Sequence, residues 1–179
     1  KKLSKFIAKK ISDLKLVGWF NGKMEFGQRA LGNRSILADP RNKKIKDIIN
    51  KAIKYRENFR PFAPAVLEEE AHRYFDIKRG TKIEFMEKAV QVKNLWRNKI
   101  PGVTHVDGTA RIQTVSKKIN PDFYDLINEF KKITNIPILI NTSFNLNGEP
   151  IVCSPKDAIR TFFSCGLDIL VLGKFVIEK

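Results

Sequence analysis

The sequence is poor in the residues that build cross-links and metal sites. Its 179 residues include only two cysteines, Cys153 and Cys165, which form neither a CxxC pair nor a Cys/His cluster. This argues against a disulfide framework, which small secreted domains build from several paired cysteines. The sequence also has no secretory leader pattern and no apolar run long enough to cross a bilayer. These absences predict a soluble, cytoplasmic protein that does not associate with membranes.

Histidine is equally scarce, and this limits metal chemistry. His72 and His105 are the two histidines of the chain. His105 and Asp107 could supply two metal ligands, but no third is apparent, so a hydrogen-bonded structural histidine is the better interpretation. We therefore expect no metal site in this chain.

Acidic residues are scarce in the first two-thirds of the chain. Residues 1–119 carry 28 Lys and Arg against 12 Asp and Glu, a net charge of +16, whereas residues 120–179 carry 6 against 7, a net charge of −1. Such an imbalance raises the local concentration of anions such as nucleotides, acyl phosphates or nucleic acid. Many of the lysines lie on predicted helix surfaces, where a solvated face explains them.

Residues 22–41 combine glycine with fixed positive charge. Gly22, Gly27 and Gly32 allow tight turns and close approach of the backbone to a ligand. Arg29 and Arg34 each present a planar fork of donors suited to phosphate or carboxylate. The glycine spacing matches neither a Rossmann fingerprint nor a P-loop, so the pattern predicts an anion site without naming the anion.

Three further groups of residues could carry chemistry, and each has a structural alternative. Lys54, Arg56 and Arg60 lie at a helix end and in a proline loop, where they form either a phosphate site or a solvated face. Arg111 reaches either a pocket at a sheet edge or solvent. Polar residues 141–145 either contact a ligand at a strand end or bond the local backbone.

The periodicity of apolar residues predicts alternating helices and strands. Helical spacing covers residues 2–15, 42–55, 122–132 and 155–165, and short apolar runs predict buried strands at residues 16–20, 35–38, 137–140 and 168–173. Residues 85–92 and 104–115 also indicate strands, with a tight hairpin turn at Asp107-Gly108. Ser154 begins a predicted capping box with Pro155 at the first helical position. The pattern is that of one α/β or α+β domain with a mixed sheet, residues 1–179.

Five blocks, in this order, resemble the C-terminal domain of the carbamoyltransferase family, which includes nodulation-factor and antibiotic O-carbamoyltransferases. They are GKMEFGQRALGNRSILADPR, KYRENFRPFAPAV, HVDGTARIQTV, NTSFNLNGEPIVCSP and DAIRTFFSCGLDILVLG. The resemblance covers nearly the whole chain, and several blocks together are far more specific than any one of them.

The resemblance implies a YrdC-like domain with a twisted mixed sheet flanked by helices. In this family that domain converts carbamoyl phosphate and ATP into carbamoyl adenylate, releasing phosphate and pyrophosphate. A separate N-terminal domain, which holds iron or another metal, passes the carbamoyl group to an acceptor hydroxyl. The chain is then the activation half of a longer enzyme, which agrees with a first residue that lies inside a helical pattern. We expect the N-terminal domain, carbamoyl phosphate and ATP as partners, and the acceptor is not predictable.

The resemblance also assigns roles to residues. The YrdC-like signature of Lys-x-Arg followed distantly by Ser-x-Asn is present as Lys54-x-Arg56 and Ser143-x-Asn145. The expected catalytic residues are Lys54, Arg60 and Ser143. Lys54 and Arg56 are expected on the ATP phosphates. The other expected substrate contacts are Arg29 and Arg60 on carbamoyl phosphate, Arg111 on the triphosphate, Asn141, Ser143 and Asn145 orienting phosphate or carbamate, and Arg34 either on substrate or bracing its loop.

Phosphoryl-type transfer relies mainly on positioning and electrostatics, so no protein nucleophile is expected. We expect Mg²⁺ to bridge phosphates with a shell made largely of ATP oxygens and water, since no carboxylate stands out as its ligand.

Two other functions remain open at this point. A basic YrdC-like module could bind nucleic acid, although base-stacking aromatic residues are sparse among the basic ones. The same fold could build threonylcarbamoyl adenylate from bicarbonate and threonine. The blocks resemble the carbamoyltransferase branch more closely, which makes carbamoyl activation the leading hypothesis.

Overall fold

A computed structural model describes residues 2–55, 57 and 60–179 of the chain. Arg56, to which a phosphate contact was assigned, lies outside the described residues. Within the described part no helix is long and apolar enough to cross a membrane.

The helices are α1 Lys2–Ser12, α2 Ile45–Ile49, α3 Ala71–Tyr74, α4 Asn94–Arg97, α5 Pro121–Thr134 and α6 Pro155–Phe163. The strands are β1 Val17–Phe20, β2 Arg34–Ala38, β3 Ala63–Leu67, β4 Ala89–Gln91, β5 Thr109–Arg111, β6 Gln113–Val115, β7 Ile138–Ser143, β8 Ile169–Leu172 and β9 Phe175–Glu178.

Seven of the described strands form one mixed sheet in the order β6-β3-β7-β2-β1-β8-β9, and β4 and β5 form a separate antiparallel pair. β1 and β8 are parallel, as are β3 and β6, while the other neighbours in the large sheet are antiparallel. Apolar side chains are buried on both faces of the large sheet. One face packs against α1 and α5, and the other against α2, α3, α6 and the small sheet. The predicted mixed α/β sheet flanked by helices is therefore confirmed.

Local signals placed several elements correctly. α5 begins after Asn120, whose side chain accepts a hydrogen bond from the backbone N–H of Phe123. α6 begins with the predicted capping box, in which Ser154 and Asp157 each bond the other's backbone N–H. These bonds satisfy N–H groups that have no partner within the helix.

The predicted helix over residues 42–55 changes geometry part of the way along. After α2 the chain continues as a π-helical turn, Asn50–Lys54, which ends where the N–H of Tyr55 donates to the carbonyl of Asn50 at 2.7 Å. Tyr55 has a left-handed backbone, with φ of 45°. This wide turn fixes the direction of Lys54 at the helix end.

The predicted hairpin at Asp107-Gly108 is only partly correct. The tight turn exists, because the N–H of Gly108 donates to the carbonyl of His105 at 3.0 Å. The residues before the turn are not a strand, and β5 pairs instead with β4, a segment about twenty residues earlier in the chain. The strand expected over residues 85–92 is reduced to β4.

The proline loop was expected over residues 56–64, and the strand β3, which begins at Ala63, was missed. β3 tolerates Pro64 because its neighbour β6 pairs with it only from Ala65 onward. β7 extends three residues beyond the predicted end at Ile140, so Asn141 to Ser143 belong to the strand and only the residues after them form the loop. Ser143 pairs with Ser35 of β2, which holds the polar end of β7 in the sheet.

Candidate functional site

The glycine-rich loop between β1 and β2 is held by its own polar side chains. Oε1 of Glu25 accepts hydrogen bonds from the backbone N–H groups of Leu31 and Asn33, at 2.6 and 2.8 Å. Gly32 has φ of 110°, and a Cβ at this position would lie 2.2 Å from Cδ1 of Phe123. The loop therefore needs glycine there for both conformation and space.

Arg34 is buried and braces this loop. Its Nη1 donates to the backbone carbonyls of Asn21, Gly22 and Asn33 at 3.1 to 3.2 Å. Its guanidinium stacks on Phe20, with Cζ 3.5 Å from the ring centroid. Burial lowers the pKa of Arg34 from its ordinary value. Of the two expectations for Arg34, bracing agrees with these contacts, since Nη1 donates to three backbone carbonyls of the loop.

Arg29 and Arg111 meet at a small cavity of about 100 Å³, which we call the cationic cavity. It lies between the glycine-rich loop, the start of β3, β5 and the end of β7. Its described lining consists of Gln28, Arg29, Ala30, Pro61, Phe62, Ala63, Met86, Arg111, Asn141, Thr142 and Ser143. Four of the predicted site residues, Arg29, Arg111, Asn141 and Ser143, are thus brought together from distant parts of the chain.

The electrostatics of the cationic cavity favour an anion. Burial lowers the pKa of Arg111 from its ordinary value, and the nearby positive charge of Arg29 lowers it further. Arginine nevertheless keeps its proton at neutral pH, so two like charges face each other beside the cavity. No carboxylate is among the described residues of its lining. A bound anion would relieve this repulsion.

Lys54 joins the π-helical turn to the end of β7. Its side chain is buried, with 5% of the residue exposed. Nζ donates to the backbone carbonyl of Ser143 at 2.6 Å and to Oδ1 of Asn145 at 2.7 Å, and Oγ of Ser143 donates to the same Oδ1 at 2.7 Å. The structure thus brings the predicted Lys54 and Ser-x-Asn residues together, with Ser143 shared between this cluster and the cationic cavity.

Asn141 lines the cationic cavity and is hydrogen-bonded to a second amide, Gln113, which sequence reasoning missed. Gln113 donates from Nε2 to the carbonyl of Leu31 at 2.8 Å, and its Oε1 accepts from Nδ2 of Asn141 at 2.8 Å. Nδ2 of Asn141 also donates to the carbonyl of Ala30 at 3.1 Å. The only sequence signal for Gln113 was a polar residue within a predicted strand, and this signal does not reveal which residues it bonds.

Arg60 does not reach the cationic cavity. It is an exposed residue, and its Nη1 lies 3.9 Å from Oε2 of Glu57. It does not belong to the described lining of the cavity, although the neighbouring Pro61 and Phe62 do. The structure therefore gives no contact that supports a catalytic role for Arg60.

His105 is hydrogen-bonded within its own turn, as the sequence interpretation predicted. Its Nδ1 lies 2.9 Å from Oγ1 of Thr109, which itself donates to Asp107 at 2.7 Å. Because the threonine proton is used on Asp107, Nδ1 of His105 must be the donor to Thr109. Burial lowers the pKa of His105, with a partly opposing effect from Asp107. Among the residues that the structure describes, no group of three or more His, Cys, Asp and Glu side chains could hold a metal ion.

A larger cavity of about 350 Å³ lies on the other side of Gln113, and we call it the acidic cavity. Its described lining includes three carboxylates, Glu25, Glu84 and Asp122, and contains no Lys or Arg. Asn120 and Asn33 are bonded to each other across it, from Nδ2 to Oδ1 at 3.0 Å. Gln113 lines the acidic cavity, and its hydrogen bond to Asn141 supports a residue that lines the cationic cavity.

The chain matches the family model described as Carbamoyltransferase C-terminus over residues 8–179. It is 55% identical over 165 residues to nodulation protein NolO of Bradyrhizobium diazoefficiens and 53% identical over 170 residues to nodulation protein NolNO of Sinorhizobium fredii. These alignments cover 92% and 94% of the chain but only 30% and 25% of the relatives. The chain therefore spans about a quarter to a third of the length of these curated relatives.

The fold is similar to part of a solved structure, full-length HypF in its phosphate- and nucleotide-bound form. The TM-score is 0.66, with 15% sequence identity, and the alignment covers 96% of this chain and 25% of HypF. At this identity the similarity concerns the fold alone, and it confirms the expected YrdC-like α/β class.

Proposed function

Since this chain belongs to the carbamoyltransferase C-terminal family, we propose that it is the carbamoyl-activation domain of an O-carbamoyltransferase. It binds carbamoyl phosphate and ATP and produces carbamoyl adenylate. Hydrolysis of carbamoyl phosphate releases phosphate and carbamate, and a carbamate oxygen then attacks the α-phosphorus of ATP and expels pyrophosphate. The carbamoyl group is subsequently passed to an acceptor hydroxyl.

The observation that carries this proposal is the convergence of Arg29 and Arg111 on the cationic cavity. The cavity is small, about 100 Å³, and its two guanidinium groups offer paired donors to a single phosphate group. We therefore assign the phosphate of carbamoyl phosphate to both arginines, although the resemblance alone placed Arg111 on the triphosphate.

Lys54 and Ser143 connect this anion site to the proposed ATP phosphates. The ammonium of Lys54 is fixed by Ser143 and Asn145, so its positive charge is preorganised beside the cavity. Preorganised charge stabilises the charge that develops at a phosphorus under attack, without a protein nucleophile. Magnesium enters as MgATP, held by phosphate oxygens and water, because the described lining of the cavity offers it no carboxylate.

Transfer of the carbamoyl group to the acceptor hydroxyl requires a second domain in this proposal. The curated relatives are three to four times longer than the aligned segment, which leaves room for an N-terminal transferase domain with its own metal. That domain would choose the acceptor hydroxyl.

The decisive experiment is isotope exchange between pyrophosphate and ATP. We expect the chain to catalyse exchange that depends on carbamoyl phosphate, and expect Lys54→Ala and Ser143→Ala to abolish it. Ser143→Ala is the cleaner variant, because Lys54 is buried and its loss can also destabilise the fold, which thermal unfolding would reveal. Arg160→Ala is the matched control, because this exposed arginine lies on α6, outside the lining of the cationic cavity. Unchanged exchange in both the Lys54 and Ser143 variants would contradict the site.

The exchange assay, together with a measurement of RNA binding, separates the other two functions. Exchange that depends on bicarbonate and threonine in place of carbamoyl phosphate would indicate a threonylcarbamoyl adenylate synthase. Salt-sensitive binding of RNA, with no exchange and no response to ATP, would indicate a nucleic-acid-binding module.

A further inference from the structure

The hydrogen-bonded amide pair Gln113–Asn141, of which Asn141 lines the cationic cavity, has a fixed orientation. The carbonyl of Leu31 can only accept, so Gln113 must direct Nε2 toward it and Oε1 toward Asn141. The carbonyl of Ala30 can also only accept, so Asn141 must direct Nδ2 toward it and toward Oε1 of Gln113. Neither amide can flip without placing two acceptors or two donors together.

This orientation leaves one acceptor unused. Asn141 is 1% exposed, both donors of its Nδ2 are used, and its Oδ1 has no hydrogen-bond partner in the described part of the chain. A buried carbonyl oxygen without a donor is costly. Asn141 lines the cationic cavity, so a ligand bound there can supply that donor.

The cavity therefore offers two kinds of group to one ligand. Arg29 and Arg111 provide positive charge and donors for an anion, whereas Oδ1 of Asn141 can only accept. A ligand that satisfies both must carry an anionic group and a hydrogen-bond donor close to it. Carbamoyl phosphate has this composition, and acetyl phosphate differs from it by a methyl group in place of the amino group.

We propose that Asn141 is the residue that selects the carbamoyl group, by accepting a hydrogen bond from its amino group, and that Gln113 is the positioning residue that holds Asn141 in this orientation. The inference rests on the proposed function, and it adds the atom that distinguishes carbamoyl phosphate from other acyl phosphates.

The test is a comparison of carbamoyl phosphate, acetyl phosphate and inorganic phosphate by calorimetric binding to the chain. Acetyl phosphate leaves Oδ1 of Asn141 without a donor, so we expect it to bind the wild type roughly 5- to 150-fold more weakly than carbamoyl phosphate. In Asn141→Leu, which has similar size and no acceptor, the two acyl phosphates should bind equally.

The outcomes separate this inference from the proposed function. Equal binding of the two acyl phosphates to the wild type overturns the selectivity assignment and leaves carbamoyl activation standing. Discrimination that persists in Asn141→Leu also overturns it. Failure of the wild type to bind any of the three ligands overturns both. If Asn141→Leu does not fold, the ligand comparison on the wild type still decides the question.

Discussion

The cationic cavity and the acidic cavity lie on opposite sides of the Gln113–Asn141 amide pair, and they differ in size and in charge. The acidic cavity is more than three times larger, about 350 Å³ against about 100 Å³. Its lining carries carboxylates in a chain whose formal net charge is +15. The smaller cavity collects two arginines from segments far apart in sequence. The side chains that line the smaller cavity, and not its volume, therefore make it the candidate for anion binding.

The difference in charge between the two cavities is tested most directly by removing charge from each in turn. We expect Arg29→Ala and Arg111→Ala each to weaken phosphate binding about tenfold or more, since a charge-assisted contact contributes roughly 1.5–3 kcal/mol. The double variant should lose more than either single variant. Calorimetric titration with inorganic phosphate measures the effect.

Glu84→Gln is the matched variant in the acidic cavity, because it removes one charge there and lies outside the described lining of the cationic cavity. We expect it to change phosphate affinity less than twofold. A gain in affinity in Glu84→Gln as large as the loss in Arg111→Ala would show that bulk charge, and not the cavity, binds phosphate.

The glycine-rich loop contributes residues to the lining of both cavities, and its packing is tested through the stability of the fold. Gly32 and Gly27 have nearly the same φ, 110° and 111°, but only Gly32 faces Phe123 at a distance too short for a Cβ. Gly32→Ala should lower the free energy of unfolding by about 2–4 kcal/mol, and Gly27→Ala by about 1 kcal/mol, because the second variant adds backbone strain without overpacking. Denaturant unfolding compares the two, and equal losses would contradict the packing argument.

The smallest effect concerns the arginine that braces the loop. Arg34→Lys keeps the positive charge but loses the planar fork that reaches three carbonyls and the stacking on Phe20. We expect a loss of about 1 kcal/mol in unfolding free energy, with phosphate affinity within about threefold of wild type. A larger fall in affinity than that of Arg111→Ala, in a folded variant, would place Arg34 on the ligand.

Sequence reasoning predicted the elements whose signals are local. The capping box at Ser154 and the helical spacing of α5 lie within single segments, and both are present. β3 was missed because Pro64 usually ends a strand, and only the staggered pairing with β6 permits it. The β4–β5 pairing was mistaken for a hairpin because the Asp107-Gly108 turn does not reveal which distant segment pairs with the strand that follows.

The site was predictable in composition but not in geometry. Arg29, Arg111, Asn141 and Ser143 were chosen as residue types suited to phosphate, and the structure brings them to one cavity. Arg34 and Arg60 were chosen on the same grounds, but they lie outside its described lining. The sequence could not separate them from Arg29 and Arg111, because a charged residue type does not reveal where its side chain points. Gln113 was missed since its partners, Leu31 and Asn141, are far away in sequence.

The position of β7 has a consequence for motion. β7 is hydrogen-bonded on both sides, to β2 and to β3, and it carries Asn141 and Ser143. Arg29 lies on a loop, and Arg111 on a pair of short strands outside the large sheet. Backbone amides of β7 should therefore exchange with deuterium only on global unfolding, whereas those around Arg29 exchange through local opening. Asn141 and Ser143 therefore lie on the rigid part of the site. A bound anion should slow deuterium exchange mainly around Arg29.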